Sequence, residues 1–163
     1  MISHMPRVNA ILKSNKYQKW LKIIEKAEQE RKFCRHTMEH FLDTARIMYI
    51  ISLEEKLGIN KEVIYAVALI HDIGRAMEYE RNIPHNQAGS QFAEEVLAEC
   101  GFSHEEVNAI AGAILSHRNG LNNENSLGRL IYKADKLSRL CFNCKAEKEC
   151  YWQEDKKNFE IVY

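Results

Sequence analysis

The chain is poor in the residues that reverse a polypeptide. Two prolines and seven glycines in 163 residues are too few for the frequent turns of an all-β protein and sit easily with helices. It has no excess of charge either. The 23 Lys and Arg balance 23 Asp and Glu, which argues against a broad basic surface for a nucleic-acid polymer. A small anionic substrate stays open, because a local basic pocket needs no global excess. No apolar run approaches the roughly 20 residues that span a bilayer. The N-terminal stretch MISHMPRVNAILKSNKYQKW lacks the apolar core and small-residue cleavage site of a signal peptide. The expectation is a cytoplasmic protein without a membrane partner. Five cysteines, an odd number and without a leader, argue against a disulfide framework and for reduced or metal-bound thiols. Oligomeric state is left open.

What is present reads as helix. The length suits one domain with a full core, expected to cover residues 1–140, with a cysteine-containing tail at 141–163 packed on it. No linker, repeat or low-complexity tract divides the chain. Helical spacing runs over residues 8–30, with Ile11, Trp20, Ile23, Ile24 and Ala27 inward, and over 35–56, stopped by Gly58. Asn60 is placed to cap a third helix that ends at Gly74. A loop through Arg81, Asn82 and Pro84 leads to a helix at about 86–99. Ser103 with Glu106 makes a capping-box pattern for the next, which Asn119 and Gly120 end. NNENS is a loop, and SLGRLIYKADKLSRLCF is a last amphipathic helix. No segment alternates like a strand, so the fold class is all-α, a bundle of about six helices.

Certain polar residues interrupt the inward faces. His71 and Asp72 continue the apolar run at 63–70. His117 extends the stripe of Ile110, Ala113 and Ile114. Asp135 borders the face of Leu127, Leu130, Ile131 and Ala134, and His40 sits beside Phe41, Thr44, Ala45 and Met48. A buried charged group without a partner costs several kcal/mol. One inward histidine is ordinarily a hydrogen-bonded core residue, and one inward aspartate ordinarily pairs with Arg. The whole series of His40, His71, Asp72, His85, His117 and Asp135 is different, because a divalent cation satisfies imidazoles and carboxylates together.

This pattern resembles the HD domain family of metal-dependent phosphohydrolases. The order H…HD…D is filled by His40, His71-Asp72 and Asp135, in the stretches HFLDTARIMYI, ALIHDIGR and LIYKADKLSR. The HDIG wording strengthens the likeness, which covers roughly residues 35–140. His85 and His117 sit where binuclear members carry second-metal ligands. The resemblance implies one metal on His40, His71, Asp72 and Asp135, a second on His85 and His117, and a bridging Asp72. Two such cations would polarise a water to hydroxide and clamp phosphoryl oxygens. The metal itself (Fe, Mn, Co, Mg or Ni) is left open. His36, one turn before His40, is the rival first ligand; the fit of HxxxTAxxM favours His40 and leaves His36 to contact substrate or support a ligand. The expected catalytic residues are His71, Asp72 and Arg75. Among the cations Arg35, Arg75, Arg118, Lys133, Lys136 and Arg139, those expected to hold substrate phosphate are Arg75 and Arg118, then Lys136.

The expected activity is hydrolysis of a phosphate ester or anhydride of a nucleotide or other small phosphorylated metabolite. A di-iron oxygenase on the same ligand set is the first alternative, and a non-catalytic nucleotide-binding or regulatory module is the second. The tail raises a separate question. Cys141, Cys144 and Cys150 follow a C-x2-C pattern that needs a fourth ligand to make a zinc site. Cys34 lies six residues before His40 and Cys141 six after Asp135. On antiparallel ligand helices, both steps go the same way for about 9 Å. A structural zinc on Cys34, Cys141, Cys144 and Cys150 is the expectation, against the plainer reading of buried thiols and a loose tail. Cys100 reads as packing.

Overall fold

The computed structural model describes residues 4–122 and 124–163. The first three residues of the stretch read for a signal peptide, and Asn123 of the expected NNENS loop, lie outside the described residues. Helices and no strands are found among them; besides short 3₁₀ turns these are α1 (Pro6–Lys13), α2 (Asn15–Ala27), α3 (Met38–Glu54), α4 (Lys61–Ile70), α5 (Arg75–Arg81), α6 (His85–Val96), α7 (His104–Ser116) and α8 (Ser126–Leu137). No helix is long and apolar enough to cross a membrane.

Caps explain the helix starts. Ser14, Thr37, Asn60, Ser103 and Asn125 each accept a hydrogen bond from a first-turn backbone N–H, and Ser103 with Glu106 completes the capping box. Ser14 also explains a departure from expectation. The single helix expected over 8–30 is two, because Ser14 is extended (ψ 125°) and its hydroxyl caps α2. Glu28, not Ala27, is the buried residue at the end of α2. The second departure is α5, seven polar-rich residues where a loop was expected. These two changes account for eight α-helices where about six were expected.

The α4 sequence KEVIYAVALI is apolar nearly all round, which marks a central helix. Seven of its residues, from Val63 to Ile70, are buried, and α1, α3, α6 and α7 pack around it. The α8 helix closes the bundle against α3 and α7. Tyr17, Phe41, Phe92, Ile64, Leu69 and Leu97 are fully buried, and each large side chain so placed contributes about 1.5–3 kcal/mol. Arg7 ties α1 to α4 through Glu62 at 2.6 Å and to α7 through Glu106 at 2.7 Å.

Gly74 does not stop a helix by a left-handed turn. Its φ is −62°, and it begins α5. Its small size matters instead, because a Cβ there would lie 2.0 Å from the His85 carbonyl oxygen and 2.5 Å from the Gly89 backbone nitrogen. The start of α6, and with it His85, therefore packs directly on the turn that carries His71 and Asp72. Gly74→Ala should cost about 3 kcal/mol through overpacking against backbone, lowering Tm by roughly 10 °C. An unchanged melting curve would contradict this close approach.

Candidate metal centre

Five helix ends meet at one place. His40 is in the first turn of α3, His71 caps the C-terminus of α4, His85 opens α6, His117 follows α7 and Asp135 is in the last turn of α8. With Asp72 they form two overlapping sets: His40, His71, Asp72 and Asp135, and Asp72, His85 and His117. In each set the donor atoms all lie within 4.8 Å of one another, and every member is buried. Asp72 belongs to both. Its Oδ2 is 3.2 Å from His71 Nε2 and its Oδ1 is 3.4 Å from His85 Nε2.

The second nitrogen of each imidazole fixes how the first points. His71 Nδ1 is 2.7 Å from the Ala68 carbonyl, and His117 Nδ1 is 2.6 Å from the Ile114 carbonyl, so both must donate. His85 Nδ1 faces the Glu78 carboxylate at 3.1 Å. Ser138 Oγ donates to the Asp135 carbonyl at 2.7 Å and lies 3.1 Å from His40 Nδ1, which leaves its lone pair to accept from that nitrogen. His40, His85 and His117 then present Nε2 as a lone pair toward the centre, as a metal requires, and His71 would do so once a metal displaced its proton. His71 Nε2 is buried and makes no hydrogen bond. This atom, among carboxylates and other imidazoles, fits a cation ligand better than a packed core histidine.

The electrostatics agree. Burial alone would raise the Asp72 carboxyl, but His71, Arg75 and His36 outweigh it and hold it well below the usual range. Asp135 is likewise held low against burial, by His40, His71 and Arg139. Burial pushes His40 and His117 down to about 4, so both stay neutral at pH 7. For His71, burial opposes the charge, yet Asp72 and Asp135 raise it to about 9. Without a metal, a proton on His71 therefore supplies the positive charge that the two aspartates demand.

His36 sits beside the centre rather than within either donor set. Its Nε2 is 3.5 Å from Asp72 Oδ2, and its Nδ1 is 2.6 Å from Glu28 Oε1. Glu28 also accepts from the His36 backbone N–H at 2.7 Å and from the Tyr79 hydroxyl at 2.5 Å. It thereby fastens the loop before α3 to α5. Burial would raise its carboxyl, but the His36 and Tyr79 bonds bring it down to about 2. A carboxylate depressed from 4.5 to about 2 on folding adds stability that is complete above the unfolded value and is lost as pH falls through the folded one. Glu28→Gln should therefore cost on the order of 2–3 kcal/mol at neutral pH. The difference from wild type should shrink as pH falls from 4.5 to 2 in urea titrations. A gap that does not vary with pH would contradict this role.

Above the donor sets opens a cleft of about 260 Å³. Arg75, Arg118, Lys136, Arg139 and Arg31 line it, as do Phe33, Tyr132, Tyr151 and Trp152. Arg75 Nε bonds Asp72 Oδ1 at 2.9 Å, and Lys136 Nζ is 3.1 Å from Asp135 Oδ2. Arg139 bonds Asp135 Oδ1 and His40 Nε2, both at 3.1 Å. Two of the six cations weighed from the sequence are elsewhere. Lys133 pairs with Glu55 at 3.1 Å, and Arg35 is exposed, bonding the Arg31 carbonyl. Glu28, Glu78, Tyr79 and Ser138 escaped sequence reasoning. The one available signal was Glu28, which falls on the inward side of α2 four residues after Ile24.

Residues 37–140 match the HD domain family model. A protein of Clostridium beijerinckii with no stated activity is 45% identical over 159 residues, 98% of this chain and 100% of that one. Ribonuclease Y of Syntrophobacter fumaroxidans is 27% identical over 118 residues, which are 72% of this chain but 21% of that protein. The match thus spans about a fifth of the ribonuclease Y relative. In fold, the chain is similar to a predicted HD superfamily hydrolase from an uncultured Thermotogales bacterium, with a TM-score of 0.63 and 24% identity over 86% of this chain and 80% of that one. Taken with the arrangement of His40, His71, Asp72 and Asp135, these matches place the chain in the HD domain family.

Proposed function

We propose that the protein is a binuclear metal-dependent phosphohydrolase of the HDIG type, acting on a nucleotide or another small phosphate ester that carries an aromatic group. The observation that carries this reading is the position of Asp72, with one carboxylate oxygen toward each donor set, beneath a cleft ringed by cations. His40, His71, Asp72 and Asp135 would hold one divalent cation; Asp72, His85 and His117 would hold the other. The bound cations would supply Lewis acidity, lowering the pKa of a water and neutralising phosphoryl charge. The chain's own residues do the rest. Arg75, fixed by Asp72 and by Glu78 at 3.3 Å, offers its guanidinium to a phosphate oxygen. Arg118 and Lys136 add charge at the rim, and Lys136 is steadied by the faces of Tyr132 and Trp152. The aromatic side chains of the cleft suit a nucleobase, whose stacking contributes about 1–3 kcal/mol. His36 steadies Asp72.

The cations of the cleft favour an anionic, phosphorylated substrate, which is why hydrolysis is put ahead of oxygenation. A cytoplasmic setting is part of this reading. The ribonuclease Y likeness supports a second reading, in which the ester is a phosphodiester of RNA. A panel separates these: nucleoside mono-, di- and triphosphates, dinucleotides, short RNA and ribose phosphate, each with Mn, Fe, Co, Ni and Mg. The expected result is phosphate release from a nucleotide with kcat/KM at least about tenfold above ribose phosphate, given the stacking energy. Preferential RNA cleavage would favour the second reading, and no hydrolysis with any metal would overturn both.

A further inference from the structure

The C-terminal segment has almost no core of its own. Beyond α8 it makes only short 3₁₀ turns, at Cys141–Asn143, Glu147–Glu149 and Glu154–Lys156. Ala146 is the one buried residue from 141 to 163. Phe142, Tyr151, Phe159, Ile161 and Val162 are exposed. Segments that bury so little apolar surface are ordinarily held by a disulfide or a metal, and the cysteines form no disulfide. A few contacts join it to the bundle: Asn158 Nδ2 donates to the Lys136 and Arg139 carbonyls at 2.6 and 2.8 Å, and the Tyr151 ring meets Phe33 edge-on at 6.2 Å.

Four cysteines face one cavity between this segment and the loop before α3. Cys34, Cys141, Cys144 and Cys150 line one cavity of about 350 Å³. The Cys144 N–H donates to the Cys141 carbonyl at 3.2 Å, closing the C-x2-C pair into a tight turn of the kind that presents two sulfurs to one ion. The Cys34 thiol, pushed up first by burial, also senses the other three cysteines and Arg139. Arg139 lines the same cavity, is 8% exposed, and has an Nε that is buried without a hydrogen-bond partner. An unpaired guanidinium N–H beside thiols wants an anionic acceptor. Lys32, Arg35 and Lys157 line the cavity too, with Lys32 paired to Glu149 and Lys157 to Glu147 at 2.7 Å, so Arg139 is the cation there with a buried N–H left to satisfy.

We propose that Cys34, Cys141, Cys144 and Cys150 bind one zinc ion as four thiolates, and that this ion holds the C-terminal segment in place as a wall of the cleft. Four thiol protons leave for solvent as the ion enters, so the site becomes a dianion beside the unpaired Arg139 Nε–H. No three of the sulfurs now lie within 4.8 Å of one another among the described residues. Zn–S bonds of about 2.3 Å would bring sulfurs to about 3.8 Å apart, so the cavity contracts on loading. Tyr151 and Trp152, directly after Cys150, line the cleft. The zinc thereby fixes the aromatic wall without touching the histidine–aspartate centre.

Cobalt substitution tests this on the full chain, because only thiolates give sulfur-to-cobalt charge transfer. Histidine and carboxylate ligands cannot, so the reading of the catalytic centre is not at stake. Cobalt-loaded wild type should show that band at one thiolate-bound ion per chain, and zinc should displace it. In Cys144→Ser the band should weaken and the thiol-bound zinc fall by at least about tenfold, while Cys100→Ser keeps both. Since the first readout is on wild type, a variant that fails to fold does not spare the proposal. Absence of the charge-transfer band, an isolated disulfide, a brown iron–sulfur chromophore, or full alkylation of all five thiols in metal-loaded protein would each overturn it.

Discussion

Asp72→Asn should strip metal from both donor sets and lower phosphate release by at least about 10³-fold. Asp72 is the one residue common to the two sets, so a single change reaches both ions. An amide is nearly the same size as a carboxylate but is neutral, and its nitrogen is no metal ligand. The loss of two-metal charge stabilisation is worth several kcal/mol of barrier, and each 1.36 kcal/mol is tenfold in rate. His71→Ala should have a comparable effect on the first set, because it removes one of its two imidazole donors, a buried Nε2 that makes no hydrogen bond. Fold loss is a separate outcome, read by circular dichroism and melting. Asn can still accept from Arg75, so the helical content should be kept. Full activity in either variant, measured with metal analysis on the same sample, would contradict the assignment.

The double variant His85→Ala, His117→Ala should fall from two metals per chain to one. Its activity should drop by about 10²–10³-fold, short of the loss in Asp72→Asn. The reason is geometric. His85 and His117 are adjacent, with ring centroids 5.4 Å apart, and neither contributes to the set of His40, His71, Asp72 and Asp135. That set keeps two imidazoles and two carboxylates, enough for one divalent ion. The second ion has only Asp72 left. Metal counts settle this more sharply than rates. Retention of two ions would show that the second set is not a ligand set, and loss of both would show that the two cannot be filled independently.

Much of the centre was legible because its residues break a rule. Histidine and aspartate in the apolar stripes of α4, α7 and α8 stand out against helical periodicity, and the structure gathers them with His40 and His85. The residues that support them, apart from the inward placing of Glu28, break no rule. Glu28, Glu78 and Ser138 are ordinary surface types, and their roles depend on chain approaches that local pattern does not encode. Glu28 meets Tyr79 across 51 positions, and Ser138 meets His40 across 98. In the fold, the apolar helices were legible for the same reason. The short α5 was not, because RAMEYER has little apolar stripe and its helix is held by packing on α2 and α6. Ser14 could be read either as a residue within one helix or as a cap between two, and only its extended backbone decides. Gly74 looked like a stop signal, and its purpose, room for the His85 backbone, is a tertiary fact.

The central claim is that two cations on this site drive the attack of water on phosphorus. The most direct test is an oxygen-free assay of the metal-loaded protein in H₂¹⁸O with the nucleotide panel. The account predicts phosphate carrying one ¹⁸O, released at a rate that does not change when O₂ is admitted. Turnover that requires O₂, or released phosphate without solvent label, would contradict it.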